Sequence, residues 1–206
     1  MKYYSYVIKR DFGFAPNPFF GYCTLATCKP IIRRIAQKGD WIGAFGAAGT
    51  EIRRKLVVLM QVDETLSFDE YWEDQRFVKK RPDFNRAVSN MYGDNIYHHV
   101  DNKWFQEPSH HSWSDGNINY DNLKHDTQTN RILVAKQFFY FGNNAVEVPD
   151  EFGKLIGEGR NHKVCCDEYL VQKFVDFISS NHPNGINGVP YSRKNGKFAH
   201  YKGERP

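Results

Sequence analysis

Apolar runs separated by polar turns divide the chain into a small number of regular elements. Residues 3–9 alternate in part between apolar and polar β-prone side chains, which predicts a first strand. Residues 41–45 predict a second strand, which follows a Gly-Asp turn. Two further strands are predicted at residues 55–63 and 131–141. The continuous apolar run at 55–63 is typical of a strand that is buried on both faces.

Helical spacing of apolar residues predicts three helices. Residues 30–37 begin with a proline, which suits the first turn of a helix. Residues 67–74 begin with Ser67 and carry Glu70 three residues later, which is the capping-box pattern. Residues 167–179 show the clearest apolar stripe in the chain.

Two stretches have no sustained period. Residues 77–120 are rich in histidine, aspartate, asparagine and aromatic side chains, and a polar stretch of this length is typical of functional or disordered segments. Residues 182–206 are rich in glycine, asparagine and lysine and predict a loosely packed basic tail. The whole pattern predicts one α+β domain over residues 1–206, with a core at 1–150 and a helical extension at 151–181.

The composition favours a globular protein. The chain has 206 residues, of which 40% are hydrophobic and 25% charged, and this length suits one core of ordinary size. The net charge of +4 is too small to argue for nucleic acid by itself, but it permits a positive rim around an anionic ligand. No apolar run reaches ~18 residues and no secretory leader is visible, so we expect no membrane partner and a cytoplasmic protein.

The four cysteines do not form a recognised metal-binding pattern. Cys165 and Cys166 are adjacent, which is poor geometry for chelating one ion, and the spacing of Cys23 and Cys28 is looser than that of a zinc knuckle. In an intracellular protein we expect reduced thiols. We therefore predict packed, inert cysteines and no metal site, and leave the cofactor open.

Histidine and aspartate concentrate between residues 97 and 131. Imidazole titrates near neutrality, so it can move protons or bind metal, and a nearby carboxylate can orient it. The candidate catalytic residues are His98, His110, His111, Asp115 and Asp126. Three interpretations remain open: a hydrated polar loop, a substrate pocket without chemistry, and an acid–base or metal site.

A loop rich in proline and aromatic residues occupies residues 12–24. Two prolines fix the backbone around Asn17, and Phe19 and Tyr22 offer flat apolar faces. Such a loop can stack on a base and read one polar edge with an amide, although a loop that only caps the core is the alternative. A second loop, residues 157–163, combines glycines with Arg160 and can hold phosphate through backbone amides.

Several motifs together resemble a known family. They are Phe14-Ala-Pro-Asn-Pro-Phe, Gly21-Tyr-Cys-Thr-Leu-Ala-Thr-Cys-Lys-Pro, Gly39-Asp-Trp, Met91-Tyr-Gly-Asp-Asn-Ile-Tyr-His and Asn130-Arg-Ile-Leu-Val-Ala. The resemblance is to the nucleotide modification associated domains, and most to the second of that series. It implies the handling of a modified nucleotide or base in a DNA-modification or phage-defence context.

The order of the elements also resembles the PUA-like group, which includes the EVE and ASCH domains. The order consists of a first strand, a short helix, the Gly-Asp turn and the buried strand at 55–63. The resemblance implies a small mixed β-barrel or a strongly curved sheet with flanking helices. It also implies a cleft for a base or nucleotide.

The leading hypothesis is therefore a cleft that binds a nucleotide or a modified nucleic-acid base. In it aromatic side chains stack on the base, amides read its edges and arginines meet phosphate. The candidate residues are Asn17, Phe19, Tyr22, Trp113, Asn117, Asn130, Arg131 and Arg160. The alternatives are a metal- or His/Asp-dependent enzyme acting on nucleotides, and an interaction module of a defence complex. The oligomeric state stays open.

Overall fold

The computed structural model describes residues 1–159, 161–193 and 197–201. Within them the strands are β1 (Tyr3–Ile8), β2 (Cys23–Leu25), β3 (Trp41–Gly46), β4 (Leu56–Gln61), β5 (Glu64–Leu66), β6 (Tyr97–Val100), β7 (Lys103–Gln106), β8 (Ile132–Ala135), β9 (Phe138–Tyr140), β10 (Lys163–Cys165) and β11 (Gly185–Ile186). The α-helices are α1 (Pro30–Ile35), α2 (Phe68–Glu73), α3 (Val88–Met91), α4 (Tyr120–Asp126) and α5 (Glu168–Asn181). Short 3₁₀ segments occur at Gln75–Lys80, Gly142–Asn144 and Asp150–Leu155. The fold is thus mixed α+β, as the sequence predicts.

The chain divides into two compact units. The first unit comprises Met1–Asp11, Ala36–Glu64 and Ala135–Ser192. The second unit comprises Phe12–Ile35, Thr65–Val134 and Arg193–Pro206. A single domain over the whole chain, with an extension at 151–181 and a tail at 182–206, stays a prediction.

A six-stranded sheet forms the first unit, in the order β10-β1-β3-β4-β9-β11. β1 pairs parallel with β3 and β9 parallel with β11, whereas the other pairs are antiparallel. The order is linear, and its edge strands have only three and two residues. Among the described residues, β10 and β11 do not pair with each other, so the sheet is open. The prediction of a small β-barrel is therefore wrong, and a strongly curved sheet stays a prediction.

Helix α5 supplies the apolar cover of the first unit. Asp167 caps its N-terminus by accepting from the Leu170 N–H at 3.0 Å. The ring of Phe174 packs edge-on against Tyr3 at 6.1 Å and tilted against Phe152 at 5.1 Å. The predicted helix is confirmed, and its buried stripe lies on one side because these residues recur at helical spacing.

The second unit contains a three-stranded sheet, β2-β8-β5, and the β6-β7 hairpin. Its core is rich in aromatic rings, of which Phe68 packs edge-on against Tyr97 at 5.6 Å and against Trp104 at 5.5 Å. Helix α2 is fixed by the predicted capping box, in which Glu70 N–H donates to Ser67 Oγ and Ser67 N–H donates to the Glu70 carboxylate.

The apolar run at 131–141 is two strands and not one. Lys136 and Gln137 bend the chain between β8 and β9. The Lys136 N–H donates to the Asp63 carboxylate, and the Gln137 carbonyl accepts from the Gln61 N–H at 3.0 Å. The prediction of one continuous strand is wrong because two polar residues in its middle are held in a turn, which sends β8 and β9 into different sheets.

Parts of the predicted tail are ordered elements. Gly185 and Ile186 form β11 and pair with β9, and Phe198 packs against the ring of Tyr92 in the second unit at 4.8 Å. Among the described helices, none is both long enough and apolar enough to span a bilayer.

Gly46, the last residue of β3, is packed closely against the backbone of the first unit. A Cβ added to Gly46 would lie 1.8 Å from the backbone carbonyl oxygen of Ile52, which has little freedom to move. We expect Gly46→Ala to lower the free energy of unfolding by about 1–3 kcal/mol because the strand must shift. The control is Gly153→Ala, since a Cβ there has nothing within 4 Å. Urea denaturation that gives equal stabilities for the two variants would contradict this packing.

Candidate functional site

The aromatic loop and the histidine-rich stretch meet inside the second unit. The ring of Phe14 lies 5.0 Å from that of His110 and 4.7 Å from that of His111. The ring of Phe12 lies 4.9 Å from His110. Two segments that are far apart in the sequence, at residues 12–14 and 110–111, therefore form one aromatic and imidazole cluster.

At the centre of this cluster lies a buried ion pair. His111 Nδ1 donates to Asp126 Oδ2 at 2.8 Å, and both side chains are almost fully buried. The same Oδ2 accepts from the Tyr97 hydroxyl at 3.0 Å, and Oδ1 accepts from the Cys28 N–H at 2.8 Å. The Asp126 carboxylate is thus satisfied on both oxygens, as a buried charge requires.

The second ring nitrogen of His111, Nε2, faces the thiol of Cys28. Cys28 Sγ lies 4.0 Å from His111 Nε2, and the cysteine is partly exposed. The imidazole therefore lies between a thiol and a carboxylate. Cys28 and Lys29 both adopt positive φ angles, of 58° and 43°, in the left-handed region that non-glycine residues rarely occupy. Such backbone strain is concentrated at functional sites in proteins.

A buried arginine holds three backbone segments at this place. Arg33 Nε donates to the Cys28 carbonyl at 2.8 Å, Nη1 donates to the Arg131 carbonyl at 2.8 Å, and Nη2 donates to the Asp126 carbonyl. The guanidinium also lies over the Phe68 ring at 5.5 Å. Arg33 therefore fixes the backbone of Cys28 relative to the backbone of Asp126.

The backbone of His111 is held as firmly as its ring. Its carbonyl accepts from Gln106 Nε2 at 3.1 Å and from Asn122 Nδ2 at 2.9 Å. Gln106 Nε2 also donates to the Tyr97 hydroxyl at 3.0 Å. These bonds leave the imidazole little freedom to leave the line between Cys28 and Asp126.

The charge of Asp126 determines the protonation of His111. Burial alone would lower the pKa of His111, but the adjacent carboxylate and the contact with Cys28 raise it to about 10. Burial works to raise the pKa of Asp126, yet the imidazolium charge and its hydrogen bond lower it below the usual range. At neutral pH the pair is therefore imidazolium and carboxylate, and the imidazolium faces the thiol.

Residues near the C-terminus contact the same cluster. His110 Nδ1 donates to the Ala199 carbonyl at 2.5 Å, and the Tyr201 N–H donates to the His110 carbonyl at 2.7 Å. The ring of Tyr201 lies 5.5 Å from that of His111. The segment 198–201 thus packs on the two adjacent histidines.

Asn17 belongs to a second buried polar group. Its Oδ1 accepts from Lys80 Nζ at 2.9 Å, and its Nδ2 donates to the Tyr92 carbonyl at 3.0 Å. Asp94 nearby accepts from Thr24 Oγ1 at 2.6 Å. Burial raises the pKa of Asp94 to about 6 and lowers that of Lys80 to about 8, and each charge partly offsets the effect of burial on the other. These contacts account for Asn17 without a ligand.

Two of the predicted catalytic residues lie apart from the thiol, imidazole and carboxylate. His98 bonds Glu107 at 2.9 Å and stacks on Trp72 at a centroid distance of 3.9 Å. Asp115 accepts from Asn117 Nδ2 at 2.7 Å in an exposed turn. The structure therefore brings together His110, His111 and Asp126, and does not bring in His98 or Asp115.

The predicted binding residues have varied surroundings. Trp113 is 45% exposed in the turn that carries Asn117. Phe19 lies under the Arg193 guanidinium at 4.8 Å, and the ring of Tyr22 packs edge-on against that of Phe77. Two of the set bond the backbone of the second unit.

Asn130 Oδ1 accepts from the Phe68 N–H at 2.8 Å, at the start of α2. Arg131 Nη1 donates to the Arg34 carbonyl at 2.7 Å. Arg160 lies outside the described residues.

The sequence does not reveal the two residues that complete this site. The sequence predicts Cys28 as one of four inert thiols, and it gives Arg33 only a place in the predicted helix at residues 30–37. The available signal is the presence of cysteine, histidine and aspartate in one chain, which is common to thiol enzymes but names no partners. Among the described residues, no group of three histidine, cysteine or acidic side chains is arranged to hold a metal ion.

The match to known proteins agrees with the motifs. The family model described as "Nucleotide modification associated domain 2" matches residues 1–197, which include Cys28, His111 and Asp126. The resemblance to the second of the nucleotide modification associated domains is thereby confirmed. No curated protein and no solved structure matches the chain.

The first prediction from this geometry concerns Arg33. Lysine keeps the charge but cannot donate to three separate carbonyls, so Arg33→Lys should leave buried acceptors unpaired. We expect a loss of about 1–3 kcal/mol in the free energy of unfolding, measured by urea denaturation. Arg34→Lys, at the exposed neighbouring position, should change it by less than about 0.5 kcal/mol. Equal losses in the two variants would show that the carbonyl bonds contribute little.

The second prediction concerns pH. Because the pKa of His111 is raised from 6.5 to about 10, its contribution to stability is fully present below about pH 6.5 and is lost as the pH rises through about 10. The free energy of unfolding of the wild-type chain should therefore fall across this window more steeply than that of His111→Gln. Asp126, Arg33, Tyr97 and Cys28 remain in both proteins, so the difference isolates His111. Parallel pH curves for the two proteins would contradict the ion pair.

Proposed function

Since the chain belongs to the nucleotide modification associated domain 2 family, we propose that its second unit recognises a nucleotide or a modified nucleic-acid base. The observation that carries the proposal is the packing of the loop at 12–24 against His110 and His111. The packing brings the loop that carries Phe19 and Tyr22 to the segment that carries the exposed Trp113, and such rings can stack on a base.

Trp113 is the side chain we assign to base stacking. Trp113 follows His111 by two residues. It keeps 45% of its surface exposed, which is a large fraction for a tryptophan, since tryptophan side chains are on average highly buried. Its turn is held by the Trp113 N–H, which donates to the Asn117 carbonyl at 2.9 Å. Asp115 orients the Asn117 amide in the same turn. A rigid turn that presents an indole and an amide together suits the recognition of one base.

Basic residues next to Cys28, in the sequence or through the hydrogen bonds of Arg33, are proposed to bind phosphate. Arg33 ties the backbone of Cys28 to that of Arg131, so Lys29, Arg34 and Arg131 belong to segments that meet at one place. Their charges can attract an anionic ligand. A phosphate contact from Arg160 stays a prediction.

Other predicted binding residues are better assigned to structure. The amides of Asn17 and Asn130 are engaged by Lys80 and by the first N–H of helix α2, so we assign them to holding the loop and the helix. Phe19 and Tyr22 belong to the loop that borders the cluster, and we retain them as apolar walls of the binding surface.

The wider context of the proposal follows the family. A PUA-like fold and a role in DNA modification or phage defence are parts of the same proposal, and each rests on a resemblance of the sequence. A cytoplasmic location stays a prediction. A second candidate, an enzyme that processes the bound nucleotide, is favoured by one observation. That observation is the alignment of Cys28, His111 and Asp126.

The binding proposal predicts a loss of affinity in Trp113→Ala. Removing one stacking ring typically lowers the binding free energy by ~1–3 kcal/mol, which corresponds to a roughly 5- to 150-fold increase in the dissociation constant. Calorimetric titration with nucleoside monophosphates and with short single strands carrying modified bases measures it. Tyr169→Ala serves as the control, because Tyr169 is 80% exposed but lies in the first unit. Affinity that is unchanged in Trp113→Ala contradicts the assignment, and a wild-type chain that binds none of these ligands contradicts the proposed function.

A further inference from the structure

We propose that Cys28 is the nucleophile of a covalent reaction, that His111 moves the proton, and that Asp126 is a positioning residue for His111. The substrate class is an acyl compound, an amide or ester whose carbonyl carbon Cys28 attacks. The inference rests on the proposed function in one respect only, namely that the acyl group is carried by a nucleotide or base.

The arrangement has the three parts that nucleophilic acyl transfer needs. These are a nucleophile, an imidazole within reach of it that gives a proton to the leaving group and then takes one from water, and a group that orients the imidazole. Cys28 Sγ lies 4.0 Å from His111 Nε2, and His111 Nδ1 lies 2.8 Å from Asp126 Oδ2. Distances between nucleophile and base are commonly long without substrate and shorten when it binds.

The backbone around the thiol is fixed for this role. The Cys28 N–H donates to Asp126 and the Cys28 carbonyl accepts from Arg33, so the residue is held on both sides by the network that holds the imidazole. The positive φ of Cys28 is a strained conformation that these bonds maintain. A network that only packed the core would have no need to strain a partly exposed cysteine against an imidazolium.

The hydrogen bond of the Cys28 N–H restricts which groups can stabilise the substrate oxygen. Because the Cys28 N–H is used by Asp126, it is not available to an oxyanion. The preceding residue, Thr27, is buried and its hydroxyl has no hydrogen-bond partner among the described residues. An unpaired buried hydroxyl is costly and a carbonyl oxygen of a bound substrate is the kind of group that would satisfy it.

The reaction balances without an oxidant or reductant. The Cys28 thiol first loses its proton to water, because the ring of His111 already carries one on each nitrogen. The thiolate then attacks the carbonyl carbon, a C–S bond forms, and the π electrons move to the oxygen. Collapse of this adduct breaks the bond to the amine or alcohol, which takes its proton from His111 Nε2, and leaves a thioester on Cys28. Water then gives a proton to His111 and adds to the thioester carbon, and the C–S bond breaks to return the thiolate and the imidazolium. The products are the free acid and the amine or alcohol.

The state of the imidazole agrees with this sequence. The carboxylate of Asp126, adjacent to the ring, keeps the pKa of His111 at about 10, so the ring is a cation when substrate arrives. The imidazolium lies 4.0 Å from the thiol and places a proton where the leaving group needs it. Tyr97 and Arg33 face Asp126 and Cys28 through the bonds already described and keep the carboxylate charged.

The first test compares two cysteines in the same chain. Iodoacetamide is added to the wild-type protein at about pH 6, where an ordinary thiol is almost wholly protonated, and mass spectrometry of peptides follows Cys28 and Cys166. Cys166 is exposed and Cys28 only partly so. We expect Cys28 to react at least about 10-fold faster despite its lower exposure, because its Sγ lies 4.0 Å from Nε2 of the His111 imidazole and Cys166 belongs to another part of the chain. A Cys28 rate equal to or below that of Cys166 would overturn the inference.

Variants separate an activated thiol from one that is merely accessible. His111→Asn should bring the rate of Cys28 down to that of Cys166 or lower, and Asp126→Asn should shift its pH–rate profile. Cys166→Ser is the matched control and should leave the rate of Cys28 unchanged. If His111→Asn leaves Cys28 as reactive as before in a chain whose circular dichroism is native, the imidazole has no part in the chemistry.

The second test addresses the acyl class. Given p-nitrophenyl acetate, the wild-type protein should release a burst of nitrophenolate and carry an acetyl group on Cys28, whereas Cys28→Ser and Cys28→Ala should show neither. Acetylation that appears equally on Cys166, or no burst at all, would overturn the acyl assignment.

Neither probe contains a nucleotide, so the two proposals can fail separately. Covalent reaction without nucleotide binding would contradict the proposed function and leave the nucleophile. Nucleotide binding with an inert Cys28 would do the reverse.

Discussion

The ion pair between His111 and Asp126 is the interaction on which the second unit depends. Two charges at this depth are costly unless both are paired and bonded, and removing one partner from such a pair costs about 3–5 kcal/mol. The chain meets this requirement by giving the carboxylate the hydroxyl of Tyr97 and the N–H of Cys28 as further partners. The ion pair therefore fixes the position of the thiol as a consequence of satisfying its own charge.

The local elements could be predicted from the sequence because their causes are local. The capping box of Ser67 and Glu70, the buried strand β4 and the helix α5 each follow from residues within one turn or one strand. The break between β8 and β9 could not be predicted, since an apolar run of that length is compatible with one strand until Asp63 is known to hold the bend.

The candidate site could be predicted only in part. His110, His111 and Asp126 are among the predicted residues because imidazole and carboxylate are chemically conspicuous. Cys28 is 83 positions from His111 along the chain, and Arg33 is 93 positions from Asp126. Contacts at such separations depend on the tertiary fold and have no periodic signature, so a single sequence cannot assign them. The same limit applies to Asn17, whose burial beside Lys80 has no local sign.

The residues proposed for base recognition and for the covalent reaction all lie in the second unit. Trp113 follows His111 closely, and Arg131 is tied through Arg33 to the segment of Cys28. The family match supports a nucleotide-modification context, and we propose within it that the chain binds a nucleotide and alters a group attached to it.

The central claim of this account is that His111 is a cation held by Asp126 at neutral pH. A nitrogen-15 NMR titration of the imidazoles, with His111 assigned through His111→Asn, measures this directly. The account predicts that both ring nitrogens of His111 stay protonated from about pH 6 to about pH 8, where an ordinary histidine loses its proton, and that deprotonation begins only near the raised pKa of about 10. A His111 that titrates near pH 6.5 like an exposed histidine would contradict the claim.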